Sequence, residues 1–117
     1  MQHGAQTYGK VANQTVSQRE LEASLLLKAA SRLQAVHDGW DRKQDELSDA
    51  LLYNRRLWTI FIEDLSHPDN GLPDQLRADI ISIGLWVIKE ADRLREKKSG
   101  DVVRLIEINR VIRDALQ

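Results

Sequence analysis

Residues 47–65, LSDALLYNRRLWTIFIEDL, decide the fold. Leu47, Leu51, Trp58, Phe61 and Leu65 recur at the spacing that places side chains on one stripe of an α-helix. Leu52, Tyr53, Leu57, Ile60 and Ile62 fill much of the remaining circumference, and a helix apolar on several sides is covered on several sides. The spacing predicts a central helix from just after Asp41 to Leu65, in a chain built from helices.

Upstream, Ser17-Gln18-Arg19-Glu20 matches a capping box, in which hydroxyl and carboxylate satisfy each other's backbone amides. A helix is expected from there to Asp38-Gly39, with Leu21, Leu25, Ala29, Leu33 and Val36 facing the core. Residues 1–16 are polar and lack a helical period, so they read as an N-terminal arm, and residues 17–117 as a single domain. Downstream, SHPDNG at residues 66–71 is dense in turn formers. Pro73 suits a first helical position, where its missing N–H costs nothing.

A third helix is predicted from Pro73 to about Lys98, with one seam of Leu76, Ile80, Ile83, Val87, Ala91 and Leu94. A second seam, Ile81, Leu85 and Ile88, lies beside it. Ser99-Gly100 is expected to close that helix, with Gly100 left-handed. Asp101 is the expected N-cap of a last helix whose wide apolar face includes Val102, Leu105, Ile106, Ile108, Ile112 and Leu116. Nothing alternates with period two. The fold class is therefore all-α: an antiparallel bundle of about four helices with an N-terminal arm.

Catalytic chemistry finds no foothold. His3, His37 and His67 stand in three separate places without metal-ligand spacing, so no metal site is expected. No phosphate-binding glycine loop and no nucleophile elbow is present, so neither catalytic residues nor a cofactor are expected. Cysteine is absent, which excludes disulfides and thiolate chemistry. The 17 basic and 18 acidic residues leave a formal net charge of −1, which argues against direct nucleic-acid binding or adhesion to anionic membrane. The basic run Arg93, Arg95, Lys97 and Lys98 is interleaved with acids and sits where cations meet the negative end of a helix dipole. The stretch Ile80 to Ile88 is too short to span a bilayer, and no secretory signal is visible, so a cytoplasmic protein without membrane insertion is expected.

What remains is protein binding. A bundle needs one seam per helix, and the last three predicted helices carry more apolar positions than that. Tyr53, Arg55, Arg56, Leu57, Trp58 and Phe61, with Ile83, Trp86, Ile108 and Ile112, are the candidate partner-binding set, because Trp, Tyr and Arg concentrate at the energetic centres of interfaces. Plain core packing is the alternative for the aromatics. The surplus would be covered by a second copy or by an amphipathic helix laid in a groove.

The runs RELEASLLLKAASRL (residues 19–33), ALLYNRRLWTIF (50–61) and PDNGLPDQLRADIISIGLWV (68–87) resemble the FlaF family of flagellar biosynthesis proteins of alphaproteobacteria. The resemblance covers roughly residues 8–94. It implies a flagellin-binding export chaperone that holds unassembled flagellin, through an amphipathic terminal helix, for flagellar type III secretion. It also implies a link to post-transcriptional control of flagellin synthesis, on its messenger RNA or together with the regulator FlbT. FlbT and the export apparatus are the further partners implied. Tyr8-x-x-Val11 followed by Thr15-x-Ser17-x-x-Glu20-Leu21 is similar to the start of the general flagellin chaperone FliS, whose N-terminal arm occupies the flagellin groove. By that similarity Tyr8 and Val11 would lie in the groove when no client is bound.

Overall fold

The structure, a computed structural model, describes the backbone of residues 2–117 and the side chains of residues 17–117. Helix α1 spans Gln2–Asp38, followed by a short α2 (Trp40–Lys43) and a 3-10 turn (Gln44–Glu46). Helices α3 (Leu47–Leu65), α4 (Asp74–Lys97) and α5 (Val103–Leu116) complete the chain, and no strand occurs among the described residues. The four long helices form the expected all-α bundle. Helix α1 packs along α5 on one side and α3 on the other, α3 packs along α4, and α4 and α5 meet only briefly.

The core collects Leu26, Leu33, Leu51, Trp58, Leu65, Ile80, Val87, Leu94 and Leu105, all at most 1 % exposed. Helix α1 faces it with Ala23, Leu26, Ala29, Ala30, Leu33 and Val36. The small alanines of this face lie on the helix that packs most extensively along α5. The seam expected for α1 is correct from Ala29 onward but rotated in its first turns: Leu21 is 57 % exposed and Leu25 is half-buried.

Several expected boundaries move. Helix α1 runs straight through Ser17–Glu20, so the capping-box sequence lies inside a helix and does not begin one. The arm expected over residues 1–16 continues α1 in its backbone, and the side chains of Tyr8 and Val11 lie outside the described residues. The helix expected from Asp41 is broken into α2, the 3-10 turn and α3. There Trp40 packs against the α4–α5 turn so closely that a Cβ on Gly100 would stand 2.8 Å from its ring. Gly100 thus serves close approach, and Lys98 takes the left-handed C-cap of α4, at φ 52°. Pro73 is the N-cap of α4 and not its first residue. Val102, fully buried, replaces Asp101 as the N-cap of α5 and caps without a side-chain hydrogen bond.

Two polar networks fix how the helices meet. In the core, Trp58 Nε1 donates to Asn109 Oδ1 at 2.7 Å, and Asn109 Nδ2 donates to Asn54 Oδ1 at 2.7 Å. All three side chains are fully buried, so the bonds lock one register of α3 against α5. At the α3–α4 turn, buried Arg19 of α1 donates through Nη2 to the Asn70 carbonyl and to Asn70 Oδ1, while Asn70 Nδ2 donates to Asp64 Oδ2 at 2.7 Å. Arg77 Nη1 donates to the carbonyls of Leu65 (3.0 Å) and His67 (2.8 Å), satisfying groups left open where α3 ends. The PDNGLPDQLR run is thus a clasp that ties the turn to α1 and α4.

Candidate functional site

Helices α1 and α3 bound a cleft of about 320 Å3 beside the clasp. Leu21 and Leu25 supply its α1 wall, Leu57 and Ile60 its α3 wall, and buried Leu26 and Phe61 its floor. Ile60, 65 % exposed, and Leu21, 57 % exposed, stand at the rims with their apolar side chains in water. Exposed apolar side chains gathered at a concave site mark a binding surface more often than singly scattered ones.

Gln18, Glu22 and Asp64 close the end nearest the clasp. Asp64 Oδ2 accepts from Gln18 Nε2 at 2.9 Å and from Asn70, both neutral donors, so its charge is solvated but not cancelled. Glu22 pairs with Arg19 Nη1 at 2.7 Å. Burial raises the Glu22 carboxyl above its ordinary value of 4.5, against the opposing pull of Arg19 and with a further push from Asp64. Glu63 lies exposed next to Asp64 on α3, whereas Glu20 faces the α1–α5 side. Acidic character therefore gathers where the cleft meets the clasp.

The residues expected to bind a partner are dispersed. Trp58 is completely buried, with Phe61 edge-on at 5.5 Å, and both belong to the core; Ile112, 5 % exposed, does too. The expectation that these three form a free surface is corrected: core packing, the alternative, claims them. Tyr53 is half-buried beneath α1, with Arg32 4.8 Å and Lys28 5.5 Å from its ring centroid, which makes it part of the α1–α3 seam. Arg55 Nε donates to Asp92 of α4 at 2.8 Å, while Arg56 is exposed. Ile83, Trp86 and Ile108 are half-buried against the core on α4 and α5. Of the expected set, only Leu57 and Phe61 line the cleft.

Leu21, Leu25 and Ile60 were missing from that expected set. For Leu25 a signal was present in the unbroken Leu25-Leu26-Leu27 run, since three consecutive leucines on a helix cannot all face one core. Among the described residues no group of three His, Asp or Glu side chains converges to hold a metal ion. No helix among them is long and apolar enough to cross a membrane.

Fold and surface together define a small helical-bundle protein with an apolar cleft between two of its helices. The family model described as flagellar protein FlaF matches residues 4–116, and the chain belongs to that family. Comparison with curated proteins and with solved structures gave no match.

Proposed function

We propose that this protein binds unassembled flagellin in the cytoplasm and holds it for export, and that it does so without catalysis. Membership of a flagellar protein family supports the setting. The observation that carries the binding role is the α1–α3 cleft, a concave apolar surface left in water between two helices. Flagellin termini polymerise by burying the apolar faces of amphipathic helices, and a holder needs only to cover such a face. Hydrophobic burial at roughly 25 cal/mol per Å2 supplies the attraction, and a shallow cleft keeps it weak enough for release.

The other reading, direct action on flagellin messenger RNA, gains nothing from a chain of net charge −1 whose cleft ends in carboxylates. Co-purification with flagellin lacking one or the other terminus tests the proposal. Flagellin that is retained whole and lost on removal of a terminal helix is the expected result. Retention of flagellin messenger RNA without flagellin protein, with affinity falling steeply as salt rises, would reverse it.

A further inference from the structure

We infer that the α1–α3 cleft takes a single amphipathic helix of about two apolar turns, oriented by charge so that its Lys- or Arg-bearing end lies against the α3–α4 clasp. The inference deepens the proposed holding role and rests on it for the identity of the natural client. Shape comes first. Leu21 and Leu25 stand one helical turn apart on α1, and Leu57 and Ile60 stand one turn apart on α3. Two such walls leave a channel into which the ridge of a third helix fits, the usual way a helix seats on a helical pair.

Charge then sets direction. Every ionisable side chain lining the cleft, Glu22 and Asp64, is acidic and sits at its clasp end, beside exposed Glu63 of α3. Arg19 pairs with Glu22, whereas the hydrogen bonds to Asp64 come from the neutral amides of Gln18 and Asn70. At the opposite end lie exposed Lys28 and Arg32, over the Tyr53 ring, and Arg56, one turn before Ile60. A helix lying along the cleft therefore meets negative charge at one end and positive charge at the other, and complementary placement selects its direction.

A second copy of this chain is the poorer occupant. A concave patch presented to an identical concave patch leaves both channels unfilled. The few apolar residues around the cleft also fall short of the roughly 800 Å2 per partner that a stable dimer buries.

The test uses the full chain with two probes. One is purified monomeric flagellin. The other is a pair of designed peptides, each an amphipathic helix with leucines at i, i+4 and i+7, ending in Lys residues in one and in Glu residues at the same end in the other. The Lys-ended peptide is expected to bind about fivefold or more tighter at low salt, the difference closing in high salt. Leu21→Asp and Ile60→Asp are expected to weaken both probes about tenfold or more. Val111→Asp, at a side chain of α5 that is equally exposed (62 %), leaves binding unchanged. Because Leu21 and Ile60 lie outside the core, unchanged circular dichroism is the control for folding. Wild-type affinity in both cleft variants, or preference for the Glu-ended peptide, overturns the cleft while leaving flagellin holding intact if wild type still retains flagellin. Peptide binding without flagellin binding overturns the client and leaves the cleft standing. A dimer that Leu21→Asp converts to monomer overturns the inference in favour of a second copy.

Discussion

Trp58 Nε1 donates to Asn109 Oδ1 across the core, 2.7 Å away, with both side chains fully buried. The bond joins α3 to α5, two helices that do not pack extensively along each other. Asn109 in turn donates to Asn54, whose own Nδ2 has no partner among the described residues. A three-residue polar chain in an apolar core gives little net stability, because each member must be desolvated first. Its effect is on specificity: any slip of α5 along α3 would leave several buried groups unpaired.

Asn109 is the hinge of this chain, since it is bonded on both sides. Asn109→Ala strands the indole N–H and the Asn54 carbonyl oxygen and opens a cavity, and should cost about 2–4 kcal/mol. Asn54→Ala strands only one group and should cost less, about 1–3 kcal/mol. Urea unfolding followed by tryptophan fluorescence measures both; equal costs would show that the indole bond adds nothing.

Gly84 lies where α4 crosses Trp58. A Cβ there would stand 2.7 Å from Ile62 Cδ1 and 2.9 Å from Trp58 Cε3. Ile62 is half-buried and its tip can swing aside, but the Trp58 ring is held by Asn109. Gly84→Ala should therefore destabilise by about 1–3 kcal/mol, despite alanine's better helix propensity. Adding Ile62→Val should recover only part of the loss, because the clash with the ring remains; full recovery would place the strain on Ile62 alone.

The fold was legible because the core stripes obey helical spacing: Leu47, Leu51, Trp58, Phe61 and Leu65 are all buried on one face of α3. The site was less so, because periodicity ranks residues by hydrophobicity and not by which neighbour covers them. The surface reading of Trp58 and Phe61 rests on residue type and gives way to the core stripe that periodicity assigns them. Periodicity also places Leu21 and Leu25 in the core, where the structure leaves Leu21 exposed and Leu25 half-buried. The rotation of α1 that does this follows from Ala23, Leu26 and Ala30 facing inward on the helix that packs along α5, and no pattern within α1 reveals its partner. Residue-level signals misled in the same way at Gly100, whose smallness answers to the distant Trp40 ring and not to a helix cap.

That division of labour at the α4–α5 turn can be separated by mutation. Lys98 holds a left-handed conformation that costs a side-chain-bearing residue about 1 kcal/mol. Lys98→Gly should raise stability by roughly that amount. Gly100→Ala should lower it by about 1–3 kcal/mol, because a Cβ would enter the Trp40 ring at 2.8 Å. Thermal unfolding of both variants checks the assignment, and opposite signs are the expected pattern.

Protonation of Glu22 gives the cleft a pH dependence. Burial raises its carboxyl above 4.5 in the folded protein, so the native state holds this proton more tightly than the unfolded chain does. The unfolded state then binds fewer protons between 4.5 and the raised value, and stability falls as pH rises through that window. Glu90 works on the other side of 4.5: its hydrogen bond from Arg93 lowers its carboxyl, so its contribution is present above 4.5 and lost as pH falls through the lowered value. Glu22→Gln should flatten the decline above 4.5 and leave the acid limb, where Glu90 acts, unchanged. Urea midpoints measured across the range separate the two, and an unaltered slope above 4.5 in Glu22→Gln would assign the decline to another group.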